Sequence, residues 1–168
     1  MQCADNKAIT MYKMEADWNS WGHPVRYVYE CCDILQPTKT ISRKFGHSTG
    51  RTHHPNHGNT GQYLDRQIVK CPGANQIINR IQMRSDWQHI WYDLTCYEIG
   101  NGLSLDRFSK NSAVFVHYWH GVDEMDGVEI SCRNGDYSLN MYFLVESRFY
   151  TNDATDRAHF NLHCGRIH

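Results

Sequence analysis

The sequence predicts an all-β protein: a three-fold pseudosymmetric β-prism, or a similar closed antiparallel β fold, with a disulfide inside each of three repeats. Apolar and polar residues alternate before three of the cysteines, in the two-residue period of a half-buried strand. A strand-rich unit used three times cannot bury its own apolar face, so three units should pack around a shared core. Six of the seven cysteines form three pairs of similar separation: Cys3 with Cys31, Cys71 with Cys96, and Cys132 with Cys164.

Each repeat is predicted to contain two strands joined by a turn. The first strands are residues 9–14, 77–83 and 139–145, and the second strands are residues 25–31, 90–96 and 158–164. Each second strand ends on the closing cysteine of its pair. One domain, 1–168, would then consist of repeats 3–32, 71–96 and 132–164, joined by linkers 33–70 and 97–131.

The linkers are predicted to be less regular. Residues 113–118 and 128–131 alternate and should form short strands, whereas residues 37–61 are polar and rich in Gly, Thr and His. That composition is typical of an exposed, mobile loop. The pairs Asn101-Gly102 and Asn134-Gly135 favour tight turns, because both residue types tolerate a positive φ.

Aromatic residues provide the candidate binding groups. The segments 13–18, 82–87 and 144–149 align with one another, and each ends in an aromatic residue at the predicted turn. Exposed Trp and Tyr side chains stack on sugar rings and anchor protein interfaces, although a turn aromatic can equally close the end of a core. The candidate ligand-binding residues in or beside the turns are Trp18, Trp21, Trp87, Trp91 and Phe149.

Charge and hydropathy exclude some classes of partner. The formal net charge is −1, from 17 basic and 18 acidic residues, and no basic stripe is present, so no nucleic-acid partner is expected. No stretch approaches the roughly 18 consecutive apolar residues of a membrane helix. Seven cysteines with paired spacing favour an oxidising compartment, so we expect a secreted, extracellular protein.

The seventh cysteine leaves one ambiguity. Cys31 and Cys32 are adjacent, and only one of them can complete the first pair. Side chains of neighbouring strand residues point to opposite faces, so the two thiols have different surroundings. The spare thiol is either free or bonded to a partner chain, which would make a homo-oligomer.

Metal binding and catalysis have little support. His53, His54 and His57 are weak metal candidates in a polar segment, and a solvated His-rich loop explains them as well. The acidic group Asp123, Glu124 and Asp126 lacks EF-hand spacing. The sequence contains no nucleophile elbow, zincin helix, phosphate loop or nucleotide fingerprint, so we expect neither an enzyme nor a cofactor.

Several short motifs resemble two extracellular families. Cys71-Pro72 with the spaced residues that follow, and the ending Tyr27-Val28-Tyr29-Glu30-Cys31-Cys32, resemble the dermatopontin repeat. Trp119 and Asp126-Gly127 before Cys132 resemble the lead-in of that repeat. The third unit also resembles the vitelline membrane outer layer protein I family, in the order Cys132-Arg133-Asn134-Gly135, Leu144-Val145-Glu146, Asn152-Asp153-Ala154-Thr155 and Leu162-His163-Cys164. The second family folds as a three-fold β-prism.

These resemblances imply a secreted, disulfide-bonded, non-catalytic protein of extracellular matrix or egg coat. We therefore expect a binding protein of matrix or lectin-like type that recognises glycans, glycosaminoglycans or matrix proteins through repeated aromatic turns. One alternative is a structural coat or matrix protein that assembles through the spare cysteine. Another is a membrane-binding β-prism module whose turn tryptophans enter the lipid interface.

Overall fold

The computed structural model describes residues 1–17, 19, 25–53, 66–86, 88–116, 127–132, 142–152 and 157–168. These ranges hold strands and one short helix, α1 (Pro37–Thr40), which confirms the all-β prediction. The strands are β1 (Lys7–Ala16), β2 (Val25–Asp33), β3 (Ile41–Ser48), β4 (Thr52–His53), β5 (Ile68–Lys70), β6 (Gln76–Ser85), β7 (His89–Ile99), β8 (Leu105–Asn111), β9 (Phe115–Val116), β10 (Glu129–Ser131), β11 (Phe143–Asn152) and β12 (Arg157–Ile167).

The strands form three antiparallel sheets. The first has the order β10-β1-β2, the second β5-β11-β12-β8 with β9 also on β12, and the third β3-β7-β4 with β6 also on β7. None of these sheets closes on itself within the described ranges. The closed β fold predicted from the sequence is therefore not observed within the described ranges, where at least one sheet edge remains open.

Three hairpins with the same register form the main part of the sheets, one hairpin in each sheet. They are hairpin 1 (β1–β2), hairpin 2 (β6–β7) and hairpin 3 (β11–β12). The closing cysteines lie opposite Ile9, Ile78 and Leu144 respectively, and in each hairpin the register shifts at the next residue of the first strand. The repeated bulge defines equivalent positions in the three hairpins.

The segment before each opening cysteine pairs with a different hairpin. Ser131 lies opposite Met11 of hairpin 1, and Lys70 lies opposite Glu146 of hairpin 3. Gln2 forms a bridge to Arg80 of hairpin 2. Because these partners are equivalent positions, the three hairpins exchange segments in cyclic order.

The disulfides follow the predicted pairs. Cys3 bonds Cys31, Cys71 bonds Cys96, and Cys132 bonds Cys164. The remaining ambiguity is settled in favour of Cys31, and Cys32 is the free cysteine. Cys32 is half-buried on the opposite face of β2, against a smaller apolar cluster that contains Ile34.

The main core draws on all three hairpins. Equivalent inward residues of the closing strands, such as Leu94 and Leu162, lie in one cluster with residues of β1, β6 and β11. Two buried polar contacts cross between hairpins. The Tyr12 hydroxyl lies 3.1 Å from the Ser147 hydroxyl, and the Asn79 side-chain amide donates to the Lys7 carbonyl at 2.7 Å. The cysteine pairs, of which only Cys31 is half-buried and not fully buried, tie this core to the segments that precede each hairpin.

The linker prediction was wrong in part. Residues 37–61 were expected to form a loop, but they contain α1, the eight-residue strand β3 and β4, while 54–61 lie outside the described residues. The second linker likewise contains β8, a strand not predicted. Both strands are mostly exposed on one side, so they lack the strong apolar alternation by which strands are recognised. The strand predicted at 128–131 is found as β10, and Asn101 and Gly102 have φ values of 58° and 82°, as a tight turn requires.

Candidate ligand-binding surface

The predicted aromatic candidates separate into three groups. Trp18, Trp21 and Trp87 lie outside the described residues. Trp91 is the third residue of β7, half-buried on the outward face of the strand, and therefore lies beside the hairpin turn and not in it. Phe149 lies within β11 and is only 5% exposed.

The placement of Phe149 corrects the alignment of the third repeat. At the observed register, Lys13 lies opposite Val28, Gln82 opposite Asp93, and Arg148 opposite Asn161, so these three positions are equivalent. Phe149 then corresponds to Met14 and belongs to the core, where its ring centroid is 5.0 Å from that of Phe160. The sequence alignment matched Phe149 to Trp18, which displaced the third repeat by four positions. β11 accordingly starts at Phe143 instead of the predicted residue 139.

Trp91 is the centre of a surface that we call the Trp91 patch, formed by Arg51, Arg84, Asp86, His89, Trp91 and Asp93. The Arg51 guanidinium lies over the indole ring, 4.3 Å from its centroid. Arg84 faces Trp91 across the hairpin, and its Nε donates to Asp93 Oδ2 at 3.0 Å. The Ser48 hydroxyl of β3 donates to Asp93 Oδ1, also at 3.0 Å.

The second carboxylate of the patch belongs to the hairpin turn. Asp86 Oδ1 accepts hydrogen bonds from the backbone N–H groups of Gln88 at 2.9 Å and His89 at 2.7 Å. Its Oδ2 lies 3.4 Å from the Arg51 guanidinium. His89 Nδ1 lies 3.1 Å from Asp86, and the His89 ring meets the His53 ring edge to face. Asp86 therefore connects the turn to Arg51, whose guanidinium lies over one face of Trp91.

Gln67 fixes the backbone that carries Arg51, and the sequence analysis missed it. Its side chain is 4% exposed and donates to the carbonyls of Gly50 at 3.0 Å and Ile90 at 3.3 Å. Its Oε1 accepts a hydrogen bond from the Thr49 hydroxyl at 2.8 Å. The buried Gln67 amide thus bonds the residues that precede Arg51 and also Ile90, and it holds the β3–β4 connection against β7. Only its position four residues before Cys71 could have marked it, and many glutamines meet so loose a criterion.

Hydrogen bonding lowers the pKa of both carboxylates, which are ionised at neutral pH. The Arg84 side chain, and then the Ser48 hydroxyl, lower the pKa of Asp93. The backbone N–H of Gln88 is the largest cause that lowers the pKa of Asp86. The two arginines and two aspartates balance each other, so the patch offers an aromatic face, strong acceptors and guanidinium donors with little net charge.

The other hairpins differ at the equivalent positions. In hairpin 3 the Tyr150 ring stacks on His159 with centroids 5.4 Å apart, and the Arg148 guanidinium lies 4.8 Å from the Tyr150 centroid. In hairpin 1 the same pair is Glu15 and Arg26, joined by a 2.9 Å ion pair. Hairpins 2 and 3 therefore each offer an aromatic ring with a cation beside it, while hairpin 1 offers charge alone.

A cleft of about 680 Å³ lies elsewhere on the described residues. Its wall includes cationic Lys39 and Arg166, and its apolar lining includes the strongly exposed Leu35 and the buried Phe143. The volume suits a small ligand. The lining includes one Phe, Phe143, which is buried, and no Trp or Tyr, so the cleft lacks a stacking surface like that of Trp91.

The remaining site predictions receive no new support. Of the weak metal candidates, His53 lies exposed in β4, while His54 and His57, like Asp123, Glu124 and Asp126, lie outside the described residues. Among the residues that can be placed, no three His, Cys, Asp or Glu side chains converge as metal ligands. In the same part of the chain, no helix has the length and hydropathy that crossing a membrane requires.

No family model matches the chain, and comparisons with curated proteins and with solved structures returned no match either. The ligand must therefore be inferred from the geometry of the Trp91 patch.

Proposed function

We propose that this protein is a secreted, non-catalytic binding protein of the dermatopontin type that recognises glycans through the Trp91 patch. The observation that carries the proposal is the half-buried Trp91 ring, with Arg51 over one of its two faces and two hydrogen-bonded carboxylates beside it. Three disulfides support an extracellular location, because such bonds persist in oxidising compartments.

The chemistry of the patch suits a sugar ring. The C–H face of a pyranose stacks on an indole, while its hydroxyls donate to carboxylates and accept from guanidinium groups. Arg51 and Gln67 hold this arrangement in place before a ligand arrives, which reduces the entropic cost of binding. Because the strand, and not a mobile turn, carries Trp91, the contact is preorganised.

The charge balance favours a neutral glycan over a sulfated polymer. Arg84 is bonded to Asp93, and Arg51 lies beside Asp86, so neither cation is available without competition from a carboxylate. Binding through stacking and short hydrogen bonds should survive physiological salt, whereas binding through excess positive charge would be screened.

The architecture that we propose for this function is a three-fold β-prism with one hairpin at the centre of each face. The repeated bulge and the cyclic exchange of the segments before the opening cysteines support it. Tyr150 on hairpin 3 would then be a second, weaker contact on another face. Two contacts on one rigid body raise affinity for a repeating polymer by avidity.

The test is a glycan array that includes sulfated glycosaminoglycans, run on the oxidised protein at physiological salt. Trp91→Ala should weaken the strongest neutral-glycan signal at least tenfold, about 1.4 kcal/mol, because the stacking surface is removed. Tyr29→Ala is the matched control, since Tyr29 is an exposed aromatic residue of a different hairpin.

Two outcomes would contradict the proposal. Binding only to sulfated polymers, abolished by added salt, would indicate charge attraction in place of stacking. Neutral-glycan binding that Trp91→Ala leaves intact in a protein with three disulfides would move the site elsewhere, and the cleft beside Lys39 would be examined next.

Self-assembly through Cys32 is the second candidate function. Cys32 is the free thiol, and it is half-buried with its Sγ 3.9 Å from the Thr10 hydroxyl. A disulfide to another copy would require this side chain to leave that contact. A non-reducing gel decides the matter: a covalent dimer absent from Cys32→Ser supports the candidate, and monomer alone removes it.

A further inference from the structure

The closing strands of hairpins 2 and 3 each have a further strand on their outer side. Phe45 of β3 lies opposite Cys96 in β7, and Phe108 of β8 lies opposite Cys164 in β12. β2 is the closing strand of hairpin 1, and within the described ranges it pairs with β1 alone. Among the described residues, a strand thus covers the outer edge of two of these three equivalent strands, and none lies along the third.

Burial shows the consequence at equivalent positions. Leu94 is 3% exposed and Leu162 is 0% exposed, but Tyr29 at the same position of β2 is 38% exposed. Cys96 and Cys164 are fully buried, whereas Cys31 is only half-buried although it forms the same disulfide. The side chains of β2 point into the core like their equivalents and lack the cover that β3 and β8 supply.

The backbone of β2 presents the matching polar groups. In hairpin 2, the Tyr92 N–H donates to the Thr49 hydroxyl, and the Thr49 N–H donates to the Tyr92 carbonyl, both at 2.9 Å. Ser112 makes the same two bonds with Phe160 in hairpin 3. Tyr27 is the equivalent residue of β2, so its N–H and C=O face the open edge. An exposed strand edge of this kind is a template for another strand.

The two covered edges define the chemistry of a strand that fits. An aromatic residue lies opposite the closing cysteine in both, and a Ser or Thr follows four residues later. Opposite charges meet two residues before the aromatic: Arg43 faces Glu98, and Asp106 faces Arg166. The equivalent residue of β2 is Asp33, which resembles Glu98, so the matching strand should carry a cation there, as β3 does.

We infer that the outer edge of β2 is a strand-addition site for an extended segment of a partner polypeptide, with the pattern cation-x-aromatic-x-x-x-Ser/Thr. The aromatic ring would cover Cys31 and Tyr29, the cation would face Asp33, and the hydroxyl residue would bond the backbone of Tyr27. Asp33 now pairs with Lys7 at 3.1 Å, but both side chains are solvent-exposed, so sharing that carboxylate costs little.

Two peptides copied from the protein's own sequence serve as probes of this site. A peptide of residues 39–50 carries the β3 pattern with a cation, and a peptide of residues 103–114 carries the β8 pattern with Asp106 in its place. The wild-type protein should bind the β3 peptide about fivefold more tightly than the β8 peptide, because opposite charges face each other across the edge. Asp33→Lys should reverse that order, and Asp33→Ala should remove the preference without reversing it.

Labelled peptides and fluorescence anisotropy give the affinities, with the three disulfides checked by mass. A β3 peptide N-methylated at Phe45 is the control, since it keeps every side chain but loses a backbone donor that points toward the closing strand. It should bind at least tenfold more weakly. Trp91→Ala should leave peptide binding unchanged, so this test is independent of the proposed glycan site.

Three results would overturn the inference. Failure of both peptides to bind the correctly folded protein would show that the edge accepts no such strand. Equal binding of both peptides to wild type and Asp33→Lys would show nonspecific adhesion. Slow hydrogen exchange of the Tyr27 amide in free monomer, or in a dimer that forms without peptide, would show that the chain itself or a second copy occupies the edge.

Discussion

Hairpins 1 and 2 have the same register, a bulge at the same position and a disulfide at the equivalent cysteine, yet their closing strands differ in burial. In hairpin 2 the inward residue Leu94 is 3% exposed, and in hairpin 1 its equivalent Tyr29 is 38% exposed. The difference is the third strand: β3 lies along β7, and no described strand lies along the outer edge of β2. A hairpin positions apolar side chains, but neighbouring strands decide whether water reaches them.

The largest expected effect tests this comparison directly. Leu94→Ala should lower the free energy of unfolding by about 3 kcal/mol, because it leaves a cavity in a covered core. Tyr29→Ala should cost about half as much, because that residue is already 38% exposed, although its hydroxyl bond to the Gln2 carbonyl is also lost. Chemical denaturation of the two variants measures both values, and losses of equal size would contradict the idea that the third strand creates the difference.

A second comparison concerns the bulge residues. Asn79 of hairpin 2 is 1% exposed and donates to the carbonyls of Cys3, Ala4 and Lys7. Asn79→Ala should cost about 2 kcal/mol, because buried acceptors lose their donor. Thr10→Ala, the equivalent change in hairpin 1, removes one 3.4 Å bond to the Glu30 carbonyl and should cost about half as much. Denaturation midpoints in the reverse order would show that Asn79 does not connect hairpins 1 and 2.

The buried hydroxyls of Tyr12 and Tyr92 should make the stability of the protein fall with pH in alkaline solution. Burial raises the pKa of Tyr12 and Tyr92 well above the usual value. Below pH 10 these groups are neutral in the folded and the unfolded chain, so stability is retained. Above it the unfolded chain ionises first, and each residue should reduce stability by about 1.4 kcal/mol per pH unit until its folded pKa is reached.

Urea denaturation from pH 9 to 11.5 in a Cys32→Ser background measures this slope without thiol exchange. Tyr92→Phe should make the fall of the unfolding free energy with pH shallower, by the contribution of one ionising group. Phe160→Leu changes the equivalent position of hairpin 3 and should lower stability at every pH without altering the slope. An unchanged slope in Tyr92→Phe would contradict the assignment.

The smallest effect concerns the disulfides themselves. Cys31 is half-buried at the open edge, whereas Cys96 and Cys164 are fully buried. Limited reduction without denaturant should therefore open Cys3–Cys31 first, by a few-fold in rate, because a thiolate can reach Cys31 without unfolding. Alkylation and mass spectrometry identify the first pair to open, and earlier modification of Cys71 or Cys96 would be inconsistent with the open edge.

Sequence patterns predicted the central hairpins because their signals are local. Alternation reports a strand with one buried face, and all three closing strands were placed correctly. β3 and β8 were missed because most of their side chains are exposed. A usable signal did exist in the paired linkers, where Lys44-Phe45 and Arg107-Phe108 repeat a cation before an aromatic residue.

The candidate site was predicted only in part for a similar reason. Trp91 was named from its residue type, while Phe149 was placed on a turn because an aromatic residue was matched to Trp18. The observed register moves Phe149 into the core. Arg51 reaches Trp91 from the first linker, and Gln67, four residues before Cys71, bonds the Gly50 carbonyl beside it, across separations that no local pattern reveals.

The sequence by itself determined the all-β class, two of the three cysteine pairs and the closing strands, because side-chain alternation and cysteine spacing are properties of neighbouring residues. The tertiary structure alone decided that Cys31 rather than Cys32 is bonded, that linker strands cover two of the three closing strands, and that Arg51 lies over one face of Trp91. Those outcomes depend on which strands become neighbours in space, and that follows from packing the three hairpins around one core.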